Sequence, residues 1–327
     1  MKLGILGSGL IVRDVLPLLA AMKQEGKIET CYILARSSSK QRARELCETY
    51  KLDGVFLDYD ALLQTDIDTV YVALPNTLHF AFTKKALESG KHAIVEKPIA
   101  LTTDELRILR ETAKKHQVMM IEAMSLHFTP AYQAVRETLP ELGPVRIINF
   151  QFCQYSSRYD AFLEGNIAPA FDPNCAGGAL MDLNVYNLHA IIGLFGRPKT
   201  FSYQPNMQRG IDTSGVVTLN YGNCKAASLA AKDCQAPVHS TIAGEKACLT
   251  IPMPMNQISA FAITDRKGNL LKNCDFKENV HRLSYEFYEF ERMIRELDFE
   301  KADRLLETSE IVTEILEALR PYIIANK

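Results

Sequence analysis

Residues 1–12 read MKLGILGSGLIV. Within this stretch an apolar run, residues 3–6, leads into Gly7-Ser8-Gly9. The run predicts a buried strand, and residues 10–23 have helical spacing. A strand that passes through two glycines into a helix turns tightly and lets a pyrophosphate approach backbone N–H groups at the positive end of the helix. Val12 replaces the third glycine of the dinucleotide-binding fingerprint, so the motif alone also fits an ordinary strand-to-helix turn. We expect the pyrophosphate contacts at Gly7, Ser8, Gly9, Leu10 and Ile11.

Alternating strands and helices continue outward from this motif. Short runs rich in Val, Ile, Leu or Met predict further strands at residues 31–35, 69–74, 92–95 and 118–122. Each run is nearly continuously apolar, which is typical of parallel strands covered on both faces. Helical stretches separate the runs. We therefore predict an α/β dinucleotide-binding Rossmann domain with a doubly wound parallel sheet over residues 1–124.

The pattern changes after Pro130. Residues 146–154 alternate between apolar and polar, and a second alternating run, 217–221, leads through Gly222-Asn223 into 225–231. This arrangement predicts a hairpin, and further turns are expected at 244–245 and 267–269. Helices are predicted at 182–195, 283–297 and 305–325. Residues 125–327 are therefore predicted to be an α+β domain for substrate binding and dimerisation, with an open, mostly antiparallel sheet.

Composition narrows the function classes. The 327 residues are 47% hydrophobic and 23% charged, and 37 Lys and Arg against 39 Asp and Glu give a net charge of −2. This balance argues against nucleic acid as a partner. No window approaches the ~20 apolar residues of a membrane span. The eight cysteines form no C-x-x-C pair, so we predict reduced thiols, a cytoplasmic location and no metal site.

The end of the second strand bears on which dinucleotide binds. An acid there would bind the ribose 2′-hydroxyl of NAD, whereas an arginine would accept the 2′-phosphate of NADP. The sequence reads Ala35-Arg36-Ser37, and Glu29 lies at the start of the strand, on the wrong edge of the sheet. Arg36 and Ser37 therefore favour NADP. If Arg36 only stacks on adenine or faces solvent, NAD remains usable.

Two segments resemble signatures of a known family. They are Leu74-Pro75-Asn76 with His79, and Glu96-Lys97-Pro98. Both are similar to segments of the glucose–fructose oxidoreductase/inositol dehydrogenase family, and the resemblance covers essentially the whole chain. It implies that Asn76 and the Glu96-Lys97 pair border the nicotinamide and that Lys97 is catalytic. The expected cofactor-binding residues beyond the glycine turn are Arg36, Ser37, Leu74, Pro75, Asn76, His79, Glu96 and Lys97.

A later segment also matches this family. Asp182 and Tyr186 follow Gly177-Gly178, and their spacing looks most like the branch containing dimeric dihydrodiol dehydrogenase and NADP-dependent xylose dehydrogenase. Asn184 departs from a glycine that is common in that branch. Positions 182, 186 and 189 share one helical face, so His189 is a candidate substrate contact. Asp182 also fits a helix cap, and His189 also fits a buried core histidine.

These residues suggest a hydride-transfer mechanism. A tyrosine loses its proton near pH 10, and a neighbouring ammonium lowers that value. We expect Tyr186 to exchange the substrate proton, Lys97 to lower its pKa and Asp182 to orient the pair. Lys97 as the acid/base itself remains an alternative. Arg158 either binds substrate hydroxyls or lies in a surface loop.

The sequence thus predicts an NAD(P)-dependent oxidoreductase, with NADP favoured, acting on a secondary alcohol or hemiacetal carbon of a sugar, polyol or cyclic trans-diol. A catalytically silent dinucleotide-binding regulator and a biliverdin-reductase-like reductase are the alternatives. The open sheet face predicts a homodimer.

Overall fold

The computed structural model describes residues 1–322, which form two compact units. One contains residues 1–123 and 280–313, and the other contains residues 124–279 and those from 314 on. The sequence predicted a contiguous division near residue 124, so the difference lies in residues 280–313. These residues join the first unit because Phe287 packs edge-on against Tyr71, with ring centroids 5.3 Å apart, and Arg282 bonds to Asp14.

The first unit is built on six parallel strands in the order β3-β2-β1-β4-β5-β6. This sheet confirms the predicted doubly wound fold. The strand β3 was not predicted. The strands are β1 (Lys2–Leu6), β2 (Thr30–Leu34), β3 (Gly54–Phe56), β4 (Thr69–Val72), β5 (His92–Glu96) and β6 (Met120–Ala123).

Helices follow most of these strands and bury their apolar faces. The local sequence sets where they begin. At the start of the last of them, the Thr102 side chain accepts a hydrogen bond from Glu105 N, and the Glu105 side chain accepts one from Leu101 N. The helices are α1 (Leu10–Gln24), α2 (Lys40–Tyr50), α3 (Tyr59–Leu63), α4 (His79–Glu88) and α5 (Thr103–His116).

The second unit contains an eight-stranded sheet in the order β14-β13-β12-β11-β7-β10-β9-β8. All neighbours are antiparallel except β7 and β10. The predicted hairpins are present. The strands are β7 (Val145–Cys153), β8 (Thr200–Gln208), β9 (Ile211–Asn220), β10 (Lys225–Ala231), β11 (Ser240–Gly244), β12 (Ala247–Ile251), β13 (Ala260–Asp265) and β14 (Leu270–Asp275).

The second unit also contains helices. They are α6 (Pro130–Thr138), α7 (Tyr159–Leu163) and α8 (Val185–Phe195), and a π-helical segment, Leu180–Asn184, leads into α8. The helix α8 packs against β7 and β10. The chain closes with α9 (Ser284–Glu296) and α10 (Phe299–Leu319). The predicted last helix extended to residue 325, and its final three positions lie outside the described residues. Within residues 1–322, no helix is both long enough and apolar enough to cross a bilayer.

Candidate active site

The glycine turn lies at the carboxyl edge of the first sheet. Gly7 has a φ of +109°, and a Cβ built on it would lie 2.6 Å from the Ala73 carbonyl oxygen, so no other residue fits there without a backbone shift. Gly9 differs, because its φ is −74° and a Cβ on it would meet no protein atom within 4 Å. Gly9 is also the N-cap of α1, which has no side-chain cap and no acid in its first turn. This helix end is open to an anion.

The neighbouring residues form the wall of this turn. Gly7 N donates to the Leu34 carbonyl (3.0 Å), which joins the turn to the end of β2. Ser8 is buried, Ile11 is half-buried and Leu10 is 56% exposed. The predicted pyrophosphate segment therefore presents backbone rather than charged side chains.

The end of β2 carries the predicted phosphate site. Arg36 and Ser37 are exposed at the carboxyl edge, next to the glycine turn in the sheet order, and Ser37–Ser39 form one 3-10 turn before α2. Among residues 1–322, Arg36 forms no salt bridge, so its guanidinium is available to an anion. Glu29 lies before Thr30, which pairs with Lys2 at the opposite end of the strands. Its carboxylate lies 3.9 Å from the Lys2 ammonium, as expected for a residue at the far edge.

Lys97 follows β5 at the same carboxyl edge, and His79 holds its loop. The His79 side chain is fully buried, and its two ring nitrogens lie 2.8 Å from the Leu74 and Pro98 carbonyl oxygens. Burial lowers the pKa of His79, which favours the neutral ring with one N–H. Pro75 precedes the short turn that Asn76 begins, so His79 connects the Leu74–Asn76 segment to the Lys97 loop.

A half-buried and a buried carboxyl group, those of Glu96 and Glu122, hold the other side of the same loop. Tyr71 Oη donates to Glu96 Oε1 (2.5 Å), and Ile99 N donates to Glu122 Oε1 (2.9 Å). Burial raises the pKa of Glu96, and burial together with Glu96 raises that of Glu286 well above its ordinary value. The backbone around Lys97 is therefore held from both sides by buried side chains that the sequence analysis did not single out, Tyr71 and Glu122.

In the second unit, Asp182 lies in the π-helical segment before α8. Its Oδ2 lies 2.9 Å from the Lys232 ammonium at the end of β10. Only 3% of the Lys232 side chain is exposed, against 32% of the Asp182 side chain. Lys232 was not predicted from the sequence. The only signal was a lysine at the end of an alanine-rich strand.

The other predicted residues of this unit occupy different environments. Tyr186 is half-buried in the first turn of α8, its ring 6.1 Å from that of Phe152. His189 is 1% exposed, and its Nδ1 lies 3.2 Å from His127 Nε2. Arg158 is half-buried immediately before α7. The shared helical face thus runs from the partly exposed Asp182 to a buried histidine pair.

Each unit therefore offers a distinct chemical capability. The first provides an open helix end, an unpaired arginine and a firmly held lysine, which suit a phosphorylated dinucleotide. The second provides a partly exposed acid and a half-exposed phenol on one helix, which suit proton exchange with a polar substrate.

Two family models cover most of the chain. Residues 1–124 match the model described as "oxidoreductase family, NAD-binding Rossmann fold", and residues 132–250 match the GFO/IDH/MocA C-terminal domain.

Relatives and a solved structure agree with these matches. The chain is 32% identical over 286 residues to the scyllo-inositol 2-dehydrogenase (NADP(+)) of Bacillus subtilis, which is 87% of each chain. It is 25% identical to the trans-1,2-dihydrobenzene-1,2-diol dehydrogenase of Macaca fascicularis, over 99% of this chain and 97% of the relative. The fold matches that of the 3-ketoreductase KijD10 of Actinomadura kijaniata, in complex with NADP and TDP-benzene, with a TM-score of 0.84, 21% identity and coverage of 98% and 96%. The resemblance read from the sequence is confirmed, and the chain belongs to the GFO/IDH/MocA family of oxidoreductases, with an NAD-binding Rossmann domain at its N-terminus.

Proposed function

We propose that this oxidoreductase is an NADP-dependent dehydrogenase for a secondary alcohol or hemiacetal carbon of a sugar, polyol or cyclic trans-diol. The observation that carries the proposal is the carboxyl edge of the first sheet, where an uncapped helix end lies next to the unpaired Arg36. The relatives support it, because the scyllo-inositol enzyme is named as using NADP(+) and the diol dehydrogenase acts on a cyclic diol.

The residues at this edge fit a phosphorylated dinucleotide. The backbone N–H groups at Gly9, Leu10 and Ile11 would hold the pyrophosphate, because they lie at the positive end of α1. The space beside Gly9 is open, since a Cβ on it would have no protein atom beyond its chain neighbours within 4 Å. Arg36 and Ser37 would hold the 2′-phosphate, since a guanidinium and a hydroxyl both donate to phosphate oxygens. The segment around Leu74, Asn76, His79 and Glu96 would border the nicotinamide, which supplies the hydride acceptor when it is bound.

The proton chemistry is assigned to the side chains. Tyr186 takes the proton from the substrate hydroxyl, and the Lys97 ammonium lowers the pKa of the phenol and donates to the substrate oxygen. Asp182 fixes the orientation of this set. Lys97 as the proton-exchanging group remains the competing assignment. Arg158 is proposed to bind substrate hydroxyls, and the role of His189 as a substrate contact stays a prediction, given its burial against His127.

Absorbance at 340 nm tests the activity directly. Purified protein with NADP or NAD is supplied with pentoses, hexoses, inositols and trans-diols, and we expect reduction of NADP with at least one class. Tight NADPH binding without turnover on any member of the panel would favour the silent regulator instead.

Tyr186→Phe and Lys97→Met are each expected to reduce kcat at least about 100-fold, as for loss of a general acid–base group. Tyr50→Phe and Lys115→Met serve as matched controls, and near-native turnover in either test variant removes that residue from the chemistry.

We also propose that two copies pair through the open face of the second sheet. Ile148 and Phe150 are buried, whereas the alternate positions Asn149, Ala227 and Thr241 are only half-buried and lie side by side on three strands. Such a flat face of small side chains suits a second copy of itself. Light scattering after size exclusion should give about twice the 36.7 kDa chain mass, and Ala227→Arg should yield the monomer. A monomeric wild type would contradict this.

All eight cysteines are free thiols, which supports a cytoplasmic location that cell fractionation can test.

A further inference from the structure

The ammonium group of Lys232 is enclosed by protein. Its Nζ lies 2.9 Å from Asp182 Oδ2, donates to the Ala170 carbonyl at 2.5 Å and lies 4.4 Å from the centroid of the Phe171 ring. A lysine buried to this degree needs a compensating charge, because an unpaired ammonium is costly to remove from water. Asp182 supplies a carboxylate in direct contact with it.

This ion pair belongs to a row of contacts that joins the start of α8 to β10. The Asn184 side chain exchanges hydrogen bonds with Ser228, and Asn187 Nδ2 donates to the Leu229 carbonyl at 3.1 Å. Asp182, Asn184 and Asn187 thus bond in turn to residues of or next to one strand. Asn184 therefore has a clear structural role here.

These contacts hold the π-helical segment before α8 in place. Residues Leu180–Asn184 are π-helical, and Val185 N bonds to the Leu180 carbonyl five residues back. A π-helical turn widens the helix and changes the directions of the side chains that follow it, and such turns are frequent at functional sites. Tyr186 is the second residue of the α-helix that leaves this turn.

We propose that Lys232 is a positioning residue for the proton-exchanging tyrosine: it neutralises Asp182 and fixes the π-helical turn from which Tyr186 projects. The inference rests on the proposed function of Tyr186. It also gives Asp182, which is proposed to orient Tyr186 and Lys97, a countercharge from a lysine of its own unit.

Other titratable groups surround the pair. Asp212 Oδ2 accepts hydrogen bonds from Leu180 N and Tyr203 Oη, and Thr213 and Ser214 donate to Asp233. Burial raises the pKa of Asp212 to about 6. The Lys232 charge acts on Asp212, and the phenols of Tyr203 and Tyr322 interact electrostatically with Asp212 in turn.

Removing the ammonium has an electrostatic consequence for the phenol. In Lys232→Met the Asp182 carboxylate, one helical turn before Tyr186, loses the ammonium group that lies 2.9 Å from it. A nearby negative charge disfavours the phenolate and raises its pKa. In the oxidative direction, the rising limb of log kcat against pH should therefore move upward by about one pH unit, with kcat at neutral pH falling about tenfold and KM changing less.

Four variants separate this effect from lost packing. Lys232→Arg keeps the charge and should restore the limb to the wild-type position. The double variant Lys232→Met/Asp182→Asn removes both charges. It should also return the rising limb of log kcat against pH to the wild-type position, although the packing of the lysine side chain is still missing. Lys225→Met removes an exposed lysine from the same strand and should match wild type. If Lys232→Met leaves the limb in place, or if the double variant stays as shifted as the single one, the proposal is overturned.

Urea unfolding provides a readout that is independent of turnover. A double-mutant cycle over Lys232→Met and Asp182→Asn should show coupling, with the double variant less destabilised than the sum of the single variants. Wild-type protein that turns over no substrate would refute the proposed function, while the cycle still tests the pair. Additive single variants would refute the pairing itself, whatever the activity.

Discussion

Alanine at Gly9 adds one methyl group at the open end of α1, and alanine at Gly7 adds one in the turn just before it. We expect opposite outcomes for the two variants. Gly9→Ala should fold normally and lose dinucleotide affinity, because its methyl group would occupy space that no protein atom fills. Gly7→Ala should fold poorly, because its methyl group would lie 2.6 Å from the Ala73 carbonyl oxygen.

The structure sets the size of each effect. At Gly9 the backbone φ of −74° suits alanine. Alanine is a poorer N-cap than glycine, which lowers the free energy of unfolding, and it makes the unfolded chain less flexible, which raises the free energy of unfolding. Each effect is worth about 0.5–1 kcal/mol, so the two largely cancel. Loss of one charge-assisted hydrogen bond to phosphate is worth about 1.5–3 kcal/mol, which raises Kd about 10- to 100-fold. At Gly7, positive-φ strain of about 1–2 kcal/mol adds to about 1–3 kcal/mol for a forced backbone shift.

Two assays on the same samples distinguish these outcomes. Urea unfolding followed by circular dichroism should place Gly9→Ala within about 0.5 kcal/mol of wild type and lower Gly7→Ala by about 2–5 kcal/mol. NADPH fluorescence titration then gives Kd for the folded variants. If Gly9→Ala binds NADPH as tightly as wild type, the helix end does not hold the pyrophosphate. If Gly7→Ala is as stable as wild type, the steric argument at Ala73 is wrong.

Three further changes test other parts of the chain. Arg36→Ala should weaken NADPH binding about tenfold or more and change NADH binding little; equal losses for both would contradict the 2′-phosphate assignment. Burial raises the pKa of Asp212 from 3.8 to about 6, so its carboxyl group binds a proton more tightly in the folded chain than in the unfolded chain. The free energy of unfolding should therefore fall by up to about 3 kcal/mol as the pH rises from about 4 to 6. Asp212→Asn should flatten this slope in urea titrations, and an unchanged slope would assign it to other groups. His79→Leu removes the side chain between the Leu74 and Pro98 carbonyls and should lower the free energy of unfolding by about 1–3 kcal/mol; an unchanged urea midpoint would contradict this.

Much of the architecture was predictable because its signals are local. Parallel strands that are covered on both faces appear in the sequence as continuous apolar runs. For this reason β2, β4, β5 and β6 were predicted as well as β1. The Gly222-Asn223 turn similarly identified the β9–β10 hairpin. The strand β3 was missed because three residues are too few to show a period. The parallel neighbours β7 and β10 are separated by two other strands along the chain, and hairpin signals cannot indicate such a pairing.

The site was predictable only in part, for a related reason. Gly7 and Arg36 follow strands whose ends meet at one edge of the sheet, so a strand prediction places them. Lys232 lies 50 positions from Asp182, and its burial depends on the Ala170–Phe171 loop. Nothing in the residues around Lys232 distinguishes it from a solvated lysine. Likewise, the amphipathic pattern of α9 shows that one face is buried but not that Tyr71 is its partner.

The return of residues 280–313 to the first unit has a consequence for biosynthesis. A nascent chain emerges N-terminus first, yet the Rossmann unit lacks the segment that packs on Tyr71 until residue 280 and beyond have been translated. At about 5–20 residues per second, the 156 intervening positions delay the start of this segment by roughly 8–30 s. During that interval the nascent first unit lacks the segment that packs on Tyr71, so we expect part of its apolar surface to be uncovered. Cofactor capture is therefore expected to follow release of the full chain rather than to accompany its synthesis.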